Sequence, residues 1–227
     1  MRSLLLVIFL LLFTAISYSQ SAQELVAKVR EKSAKVKDYT AQGKMKTSVA
    51  YMKAPVAQVE VYFKSPDKLR IKNETGVSFI PQGSVNINVG SLFANTGAFD
   101  IIDGGREEAG GLRIIKLLPV DDKSDVVLST IYIDEEKFLV RKARTTTREN
   151  GTFELELIYG KYADWALADK VVFTFNTKDY KLPKGITFDY DDGTQKNRPP
   201  SKDGKGKVEI DYTEYKINKG LSDEVFK

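Results

Sequence analysis

The chain of 227 residues has no cysteine and no histidine. Without cysteine there are no disulfides, no thiol nucleophile, no thiolate metal site and no acylated N-terminal Cys. Without histidine, Ser-His-Asp catalysis, a histidine general base and His-ligated zinc all drop out. Long apolar runs are scarce too. Leu4 to Phe13 is the one unbroken stretch. Its ten residues fall short of the roughly 20 needed to span a bilayer as a helix. A charge excess of one sign is also missing. Net charge is only +4 and is spread along the chain, so no nucleic-acid partner is expected.

What the first 19 residues do contain is a secretory pattern. Arg2 supplies a positive start, Leu4–Phe13 the apolar segment, and Ser17 and Ser19 small residues before Gln20. Residues 1–19 are therefore expected to be a signal peptide, cleaved near Ser19/Gln20, and residues 20–227 a single domain. An exported domain without disulfides fits a bacterial periplasm.

Ser21 and Glu24 form an S-x-x-E capping box, which predicts a helix start. Ala22, Val26, Val29, Ser33 and Val36 continue a narrow apolar stripe, so a helix over 21–37 is expected. From Tyr39 the period changes to two. Tyr39, Ala41, Gly43, Met45, Thr47, Val49 and Tyr51 alternate with polar residues, and Ala57, Val59, Val61 and Phe63 follow the same rule after Pro55. Pro66-Asp67 turns the chain into Leu69–Lys72. Further strands are expected at Val77–Ile80, Val85–Val89, Leu112–Leu118, Asp125–Ile133, Phe138–Arg148, Phe153–Tyr159, Val171–Phe175, Ile186–Tyr190 and Val208–Tyr212. Asn150-Gly151 is the strongest hairpin signal. Ser91–Phe99, with Leu92 and Phe93, has no clear period and reads as a short helix plugging the core or a lid. The fold class is mainly β (α+β). It is a single, strongly curved antiparallel sheet or incomplete β-barrel with an N-terminal helix and a short helical lid.

Chemical motifs are weak. Asp103–Gly111 is Gly-rich and reads as a flexible turn, but it lacks the Lys-Ser/Thr pair and following helix of a phosphate loop. Asp189, Asp191, Asp192 and Gly193 make only part of a calcium loop. Asp121, Asp122, Asp125, Asp134, Glu135 and Glu136 sit in expected turns. No catalytic residue, metal site or cofactor is assigned.

The order of elements resembles the LolA/LolB fold of periplasmic lipoprotein carriers, in a divergent form like that of Bacteroidetes. The resemblance rests on the export signal, the helix and first strand pair, and the Phe63–Arg70 segment. The ending Tyr215–Phe226 also looks like that family's closing pattern Y-x-x-N-x-G-L-x-D-x-x-F. It covers both ends of the mature chain and little of the middle. It implies an incomplete barrel whose apolar concave face holds acyl chains under helical lids. It also implies a latch arginine near the third strand. Arg70 is the candidate, although Ser65 occupies the position directly before Pro66. A soluble monomeric carrier is implied, with an inner-membrane transporter and an outer-membrane acceptor as its partners.

A lipid anchor leaving a membrane exposes its chains at roughly 0.8 kcal/mol per CH₂, so a carrier must present an apolar lining. The expected ligand-binding set is Met45, Val49 and Tyr51, then Val59, Val61 and Phe63, then Leu69 and Ile71, with Leu92 and Phe93 from the lid. The same side chains would equally form a filled core. Two other readings compete: an envelope sensor or adaptor of this fold that binds a protein, and a carboxylate-dependent hydrolase.

Overall fold

A computed structural model of the chain describes residues 20–49, 52–53, 56–75, 99–149, 151–176 and 204–227. Helix α1 spans Ala22–Ser33. Its capping box is complete: the Glu24 N–H donates to Ser21 Oγ at 3.1 Å, and the Ser21 N–H donates to Glu24 Oε2 at 3.3 Å. The buried stripe is Ala22, Leu25, Val26 and Val29. Leu25, absent from the expected stripe, is fully buried. The helix stops at Ser33, short of the expected Lys37, because tighter turn bonds from Lys35 and Val36 replace helical ones. Val36 is still buried, but from the link rather than the helix.

Eleven strands follow: β1 (Asp38–Val49), β2 (Met52–Lys53), β3 (Ala57–Lys64), β4 (Lys68–Thr75), β5 (Phe99–Arg106), β6 (Arg113–Pro119), β7 (Val126–Asp134), β8 (Leu139–Thr147), β9 (Gly151–Ile158), β10 (Lys170–Asn176) and β11 (Lys205–Ile217). Two short 3₁₀ turns lie at Ala163–Trp165 and Asp223–Phe226. The sheet is antiparallel, in the order β4-β3-β1-β11-β10-β9-β8-β7-β6-β5, with β2 folding back on the end of β1. Among the described residues β4 and β5 do not pair, so the sheet is an unclosed barrel. The expected single sheet with an N-terminal helix is what forms. The expected strands Val77–Ile80, Val85–Val89 and Ile186–Tyr190 lie outside the described residues. So does the expected lid, apart from its last residue, Phe99, which opens β5.

A further expectation is corrected. Asp103, Gly104 and Gly105, expected in a flexible turn, belong to edge strand β5, and the turn itself is confined to the residues just after Arg106. Gly104 and Gly105 fall where the β5–β6 register shifts. A Cβ on Gly104 would sit 2.8 Å from Ile114 Cγ2, so the bulge brings backbone and side chain together where only glycine fits.

The sheet must curl strongly. Seven strand spacings separate β1 from β5 along the sheet order, about 34 Å if flat. Yet α1, about 18 Å long, touches both β5 and the Ala163–Trp165 turn and leads directly into β1. A bulge helps the bend. Between Gln42 and Gly43 the β1–β11 register slips, with Gln42 opposite Glu214 and Gly43 opposite Tyr212. A Cβ on Gly43 would lie 2.9 Å from the Asp211 carbonyl oxygen. The slip brings Tyr212 and Tyr215 side by side, ring centroids 5.0 Å apart.

Strand direction fixes two ends. At the near end lie the start of β1, the β3–β4 and β7–β8 turns, the Ala163–Trp165 turn and the end of β11. At the far end β4 stops and β5 starts, and β10 stops and β11 starts. Helix α1 crosses the near end: Lys32 Nζ donates to the Lys137 carbonyl at 2.8 Å, and Lys28 Nζ lies 5.1 Å from the centroid of the Phe138 ring.

The C-terminal segment fastens that end from outside. Asn218, at φ 54°, accepts from the Lys37 N–H and donates to the Lys35 carbonyl, each at 2.8 Å. Asp38 Oδ1 accepts from the N–H groups of Lys219 and Gly220 at 2.9 and 3.0 Å. Lys64 reaches the Leu221 carbonyl at 2.9 Å and Asp223 at 2.7 Å. The asparagine, glycine and aspartate of the closing pattern thus each have a local structural task.

Candidate ligand-binding face

Residues of one parity on β1, β3 and β4 meet on the inner face. Val61 pairs with Ala41 and Ile71, and Phe63 pairs with Tyr39 and Leu69. Val59 lies opposite Gly43 and Met45 opposite Ala57. Six of the expected residues (Met45, Val59, Val61, Phe63, Leu69 and Ile71) are therefore brought together. Met45, Val59, Val61 and Phe63 are buried, while Leu69 and Ile71 are partly buried against them. Val49 ends β1, and its side chain lies outside what is described; Tyr51, Leu92 and Phe93 are outside the described residues altogether.

The face continues well past this set. Ile115, Leu117, Ile131, Ile133, Leu155, Leu157, Phe173 and Phe175 extend it across β6 to β10. Their own strands show the same alternation, so the signal was present in the sequence. Gly206 lies opposite Phe175, whose ring would sit 2.4 Å from a Cβ placed there. Toward the far end the lining becomes hydroxylic. Thr47, Ser129, Thr145 and Thr147 are buried, and Ser129 and Thr145 share a hydrogen bond of 2.9 Å. A shared hydroxyl bond satisfies both groups without introducing charge.

Near α1 the lining is aromatic. Tyr39 packs on Phe63 and Tyr215, each with centroids 5.2 Å away, and Tyr162 lies 4.8 Å from Tyr215. The Tyr215 hydroxyl donates to the Ala168 carbonyl at 2.7 Å. Burial, first of all, drives the pKa values of Tyr39 and Tyr215 well above the ordinary tyrosine range, with the neighbouring phenols adding to it. These phenols stay neutral and serve packing rather than proton transfer.

Arg70 stands elsewhere. It lies opposite Tyr62, in the row that faces away from the core, and Nη1 donates to the Val225 carbonyl at 2.9 Å. That places it across the sheet from α1. Among the described residues it secures the C-terminal 3₁₀ turn and does not latch the N-terminal helix.

One charged residue on the inner row was missed. Arg113 begins β6 in phase with Ile115 and Leu117 and pairs with the fully buried Ile133. Its guanidinium forms an ion pair with Asp103. The alternation of Arg-Ile-Ile-Lys-Leu-Leu already put it in the inward phase.

The acids serve turns and outer-face pairs. Asp121 Oδ1 accepts from the Lys123 N–H at 2.9 Å, Asp125 Oδ1 from the Glu149 N–H at 3.1 Å and Asp134 Oδ1 from the Lys137 N–H at 3.0 Å. Glu154 faces Arg144 and Lys142 across the β8–β9 hairpin, at 3.5 and 3.8 Å. Arg148 donates to the carbonyls of Ser124 and Asp122. On the outer face of β11, bonds from Lys207 and Lys170 pull the Glu209 pKa down to about 2. Among the described residues no group of three or more metal-ligating acids occurs.

No family model matches the sequence, and no curated protein matches it. Solved structures do match the fold. A LolA superfamily protein from Nitrosomonas europaea superposes with a TM-score of 0.57 at 12% identity, covering 91% of this chain and 97% of the other. A domain from Vibrio parahaemolyticus named for outer-membrane lipoprotein sorting gives 0.55 at 12% identity, over 91% and 97%. A DUF1329 family protein from Desulfovibrio piger gives 0.56 at 12% identity, over 91% and 95%. The fold is therefore LolA-like, an unclosed antiparallel barrel crossed by a helix.

Proposed function

We propose that this protein is a non-enzymatic periplasmic carrier that holds the acyl chains of lipoproteins, or of related lipids, against the inner face of its sheet. The observation that carries the reading is the pairing of β1, β3 and β4, which gathers Met45, Val59, Val61, Phe63, Leu69 and Ile71 on one side of an unclosed sheet. A dodecyl chain taken out of water is worth roughly 10 kcal/mol at 0.8 kcal/mol per CH₂. A transferable cargo therefore needs a face of this kind and extent. Among the described residues β4 and β5 do not pair, so the face is not sealed by strand pairing on that side. The two LolA-like structures named for this superfamily and for lipoprotein sorting point to the same use.

The buried inner face means that loading displaces a cover. Helix α1 is the cover within the described residues, held by four side chains and two near-end contacts. Val49, Tyr51, Leu92 and Phe93 complete the proposed lining. A donor transporter and an outer-membrane acceptor would complete the route.

The test is extraction. Vesicles carrying a diacylglyceryl-cysteine lipopeptide are incubated with the mature protein and then sedimented. A soluble protein–lipopeptide complex is the expected product, reduced several-fold by Val61→Phe in a folded protein. A supernatant free of lipopeptide at every protein concentration would remove the carrier reading.

A further inference from the structure

Arg113 is the one strongly basic side chain described on the inner row of β6, and its surroundings are unusual for an arginine. Its side chain is 11% exposed. On one side it pairs with Asp103, whose side chain is 43% exposed. Its Nε–H is buried and has no hydrogen-bond partner. A buried donor left unpaired costs on the order of 1–3 kcal/mol, so such groups are rare where they serve packing alone. An arginine is a poor choice for packing at this position. Ile115 and Leu117 in the same row show that an apolar residue fits.

The neighbours leave the Nε–H of the guanidinium unsatisfied. Arg106, paired with Arg113 in the ladder, is turned to Glu135 and forms an ion pair there. Ile133 on the other side offers no acceptor side chain. The difference in exposure between Arg113 and Asp103 matters. Asp103 is the more exposed of the two, and its Oδ1 also accepts from the Gly105 N–H at 2.8 Å, whereas Arg113 is held with its unpaired Nε–H inside. A guanidinium presents a planar fork that takes a carboxylate or phosphate through two parallel bonds.

We infer that Arg113 is the head-group anchor of the inner face: it takes the acid group, carboxylate or phosphate, of an anionic amphiphile whose chain lies along the apolar lining. This rests on the carrier reading and narrows it. The favoured cargo carries an acid group within reach of the near end, beside β5 and α1, while its chain runs toward Ile115 and Leu117. The neutral glyceryl head of a lipoprotein anchor does not use this site fully.

The test compares ligands that share a chain. Laurate, methyl laurate and acetate are titrated into the mature protein at neutral pH and followed by calorimetry. Laurate is expected to bind at least tenfold more tightly than methyl laurate, and acetate, which offers the acid without the chain, is expected neither to bind nor to compete. Arg113→Gln should erase the preference while leaving methyl laurate unchanged. Arg113→Lys keeps the charge without the fork and should retain only part of it, with thermal melts reporting that each variant folds. Equal binding of laurate and methyl laurate by the unaltered protein overturns the anchor and leaves the carrier reading intact. A laurate preference that survives in Arg113→Gln also overturns it, and acetate binding as tightly as laurate reassigns the site to free anions. Failure of both chain-bearing ligands to bind overturns the carrier reading and the anchor together.

Discussion

If α1 is a removable cover, weakening its seat should open the molecule without unfolding the sheet. Four side chains hold the helix: Ala22, Leu25, Val26 and Val29, all buried. Leu25 is the largest and is fully buried. Replacing a buried leucine by alanine costs about 2–5 kcal/mol, the lower end applying where neighbours can close the gap. A helix seated at one end of a curved sheet can shift, so about 2–3 kcal/mol is expected for Leu25→Ala. That corresponds to roughly 30- to 150-fold in the equilibrium between seated and released helix. Amide hydrogen exchange resolves the two parts of the molecule. In L25A the α1 amides should lose protection by that factor, while the central strands β1, β3 and β11 should change far less. Acyl-probe uptake should speed up in parallel. The reasoning is refuted if protection falls by one common factor throughout, since α1 would then be an inseparable part of the core.

Other perturbations read the framework. Asn218→Ala loses the side-chain bonds from the Lys37 and Asp38 N–H groups and to the Lys35 carbonyl, and places alanine at φ 54°. About 3 kcal/mol should be lost, against about 2 for Asn218→Gly, which keeps the backbone geometry, and thermal melts separate the two. Gly206→Ala forces a Cβ against the Phe175 ring and should cost about 1–3 kcal/mol. In a Phe175→Ala background it should cost little, a coupling that a double-mutant cycle measures. Glu209, whose pKa falls from 4.5 unfolded to about 2 folded, stabilises the folded state above pH 4.5. That contribution should be lost as pH falls through 4.5 toward 2, and Glu209→Gln should flatten this part of the acid unfolding curve.

The N-terminal third was legible because its signals are local. A capping box, an alternation of period two from Tyr39 to Phe63 and the Pro66 turn each specify structure over a few residues, and β1, β3 and β4 pair as they suggest. The same holds for the β8–β9 hairpin, where Gly151, at φ 67°, pairs with Thr147. Leu25 is harder to read because two interleaved helical spacings run through α1, and the stripe through Ala22, Val26 and Val29 passes it by. Strand β5 is hidden because Asp103, Gly104 and Gly105 carry turn chemistry, and only pairing with β6 makes them a strand. Arg70 and Arg113 show a deeper limit. Alternation gives each a phase, but which row lies under α1 depends on how the sheet curls. That curl is set by the contact of α1, which leads into β1, with β5, far along the chain. Arg70 therefore lies on the outer row and Arg113 on the inner one.

The central claim is that the inner face carries lipid chains, and the most direct measurement is a native mass spectrum of the protein isolated without detergent from its own cell envelope. The account predicts a peak above the bare mass by an acyl-bearing adduct, which delipidation removes and re-exposure to lipid restores. A bare mass alone, with no adduct after lipids and lipopeptides are offered, would contradict it.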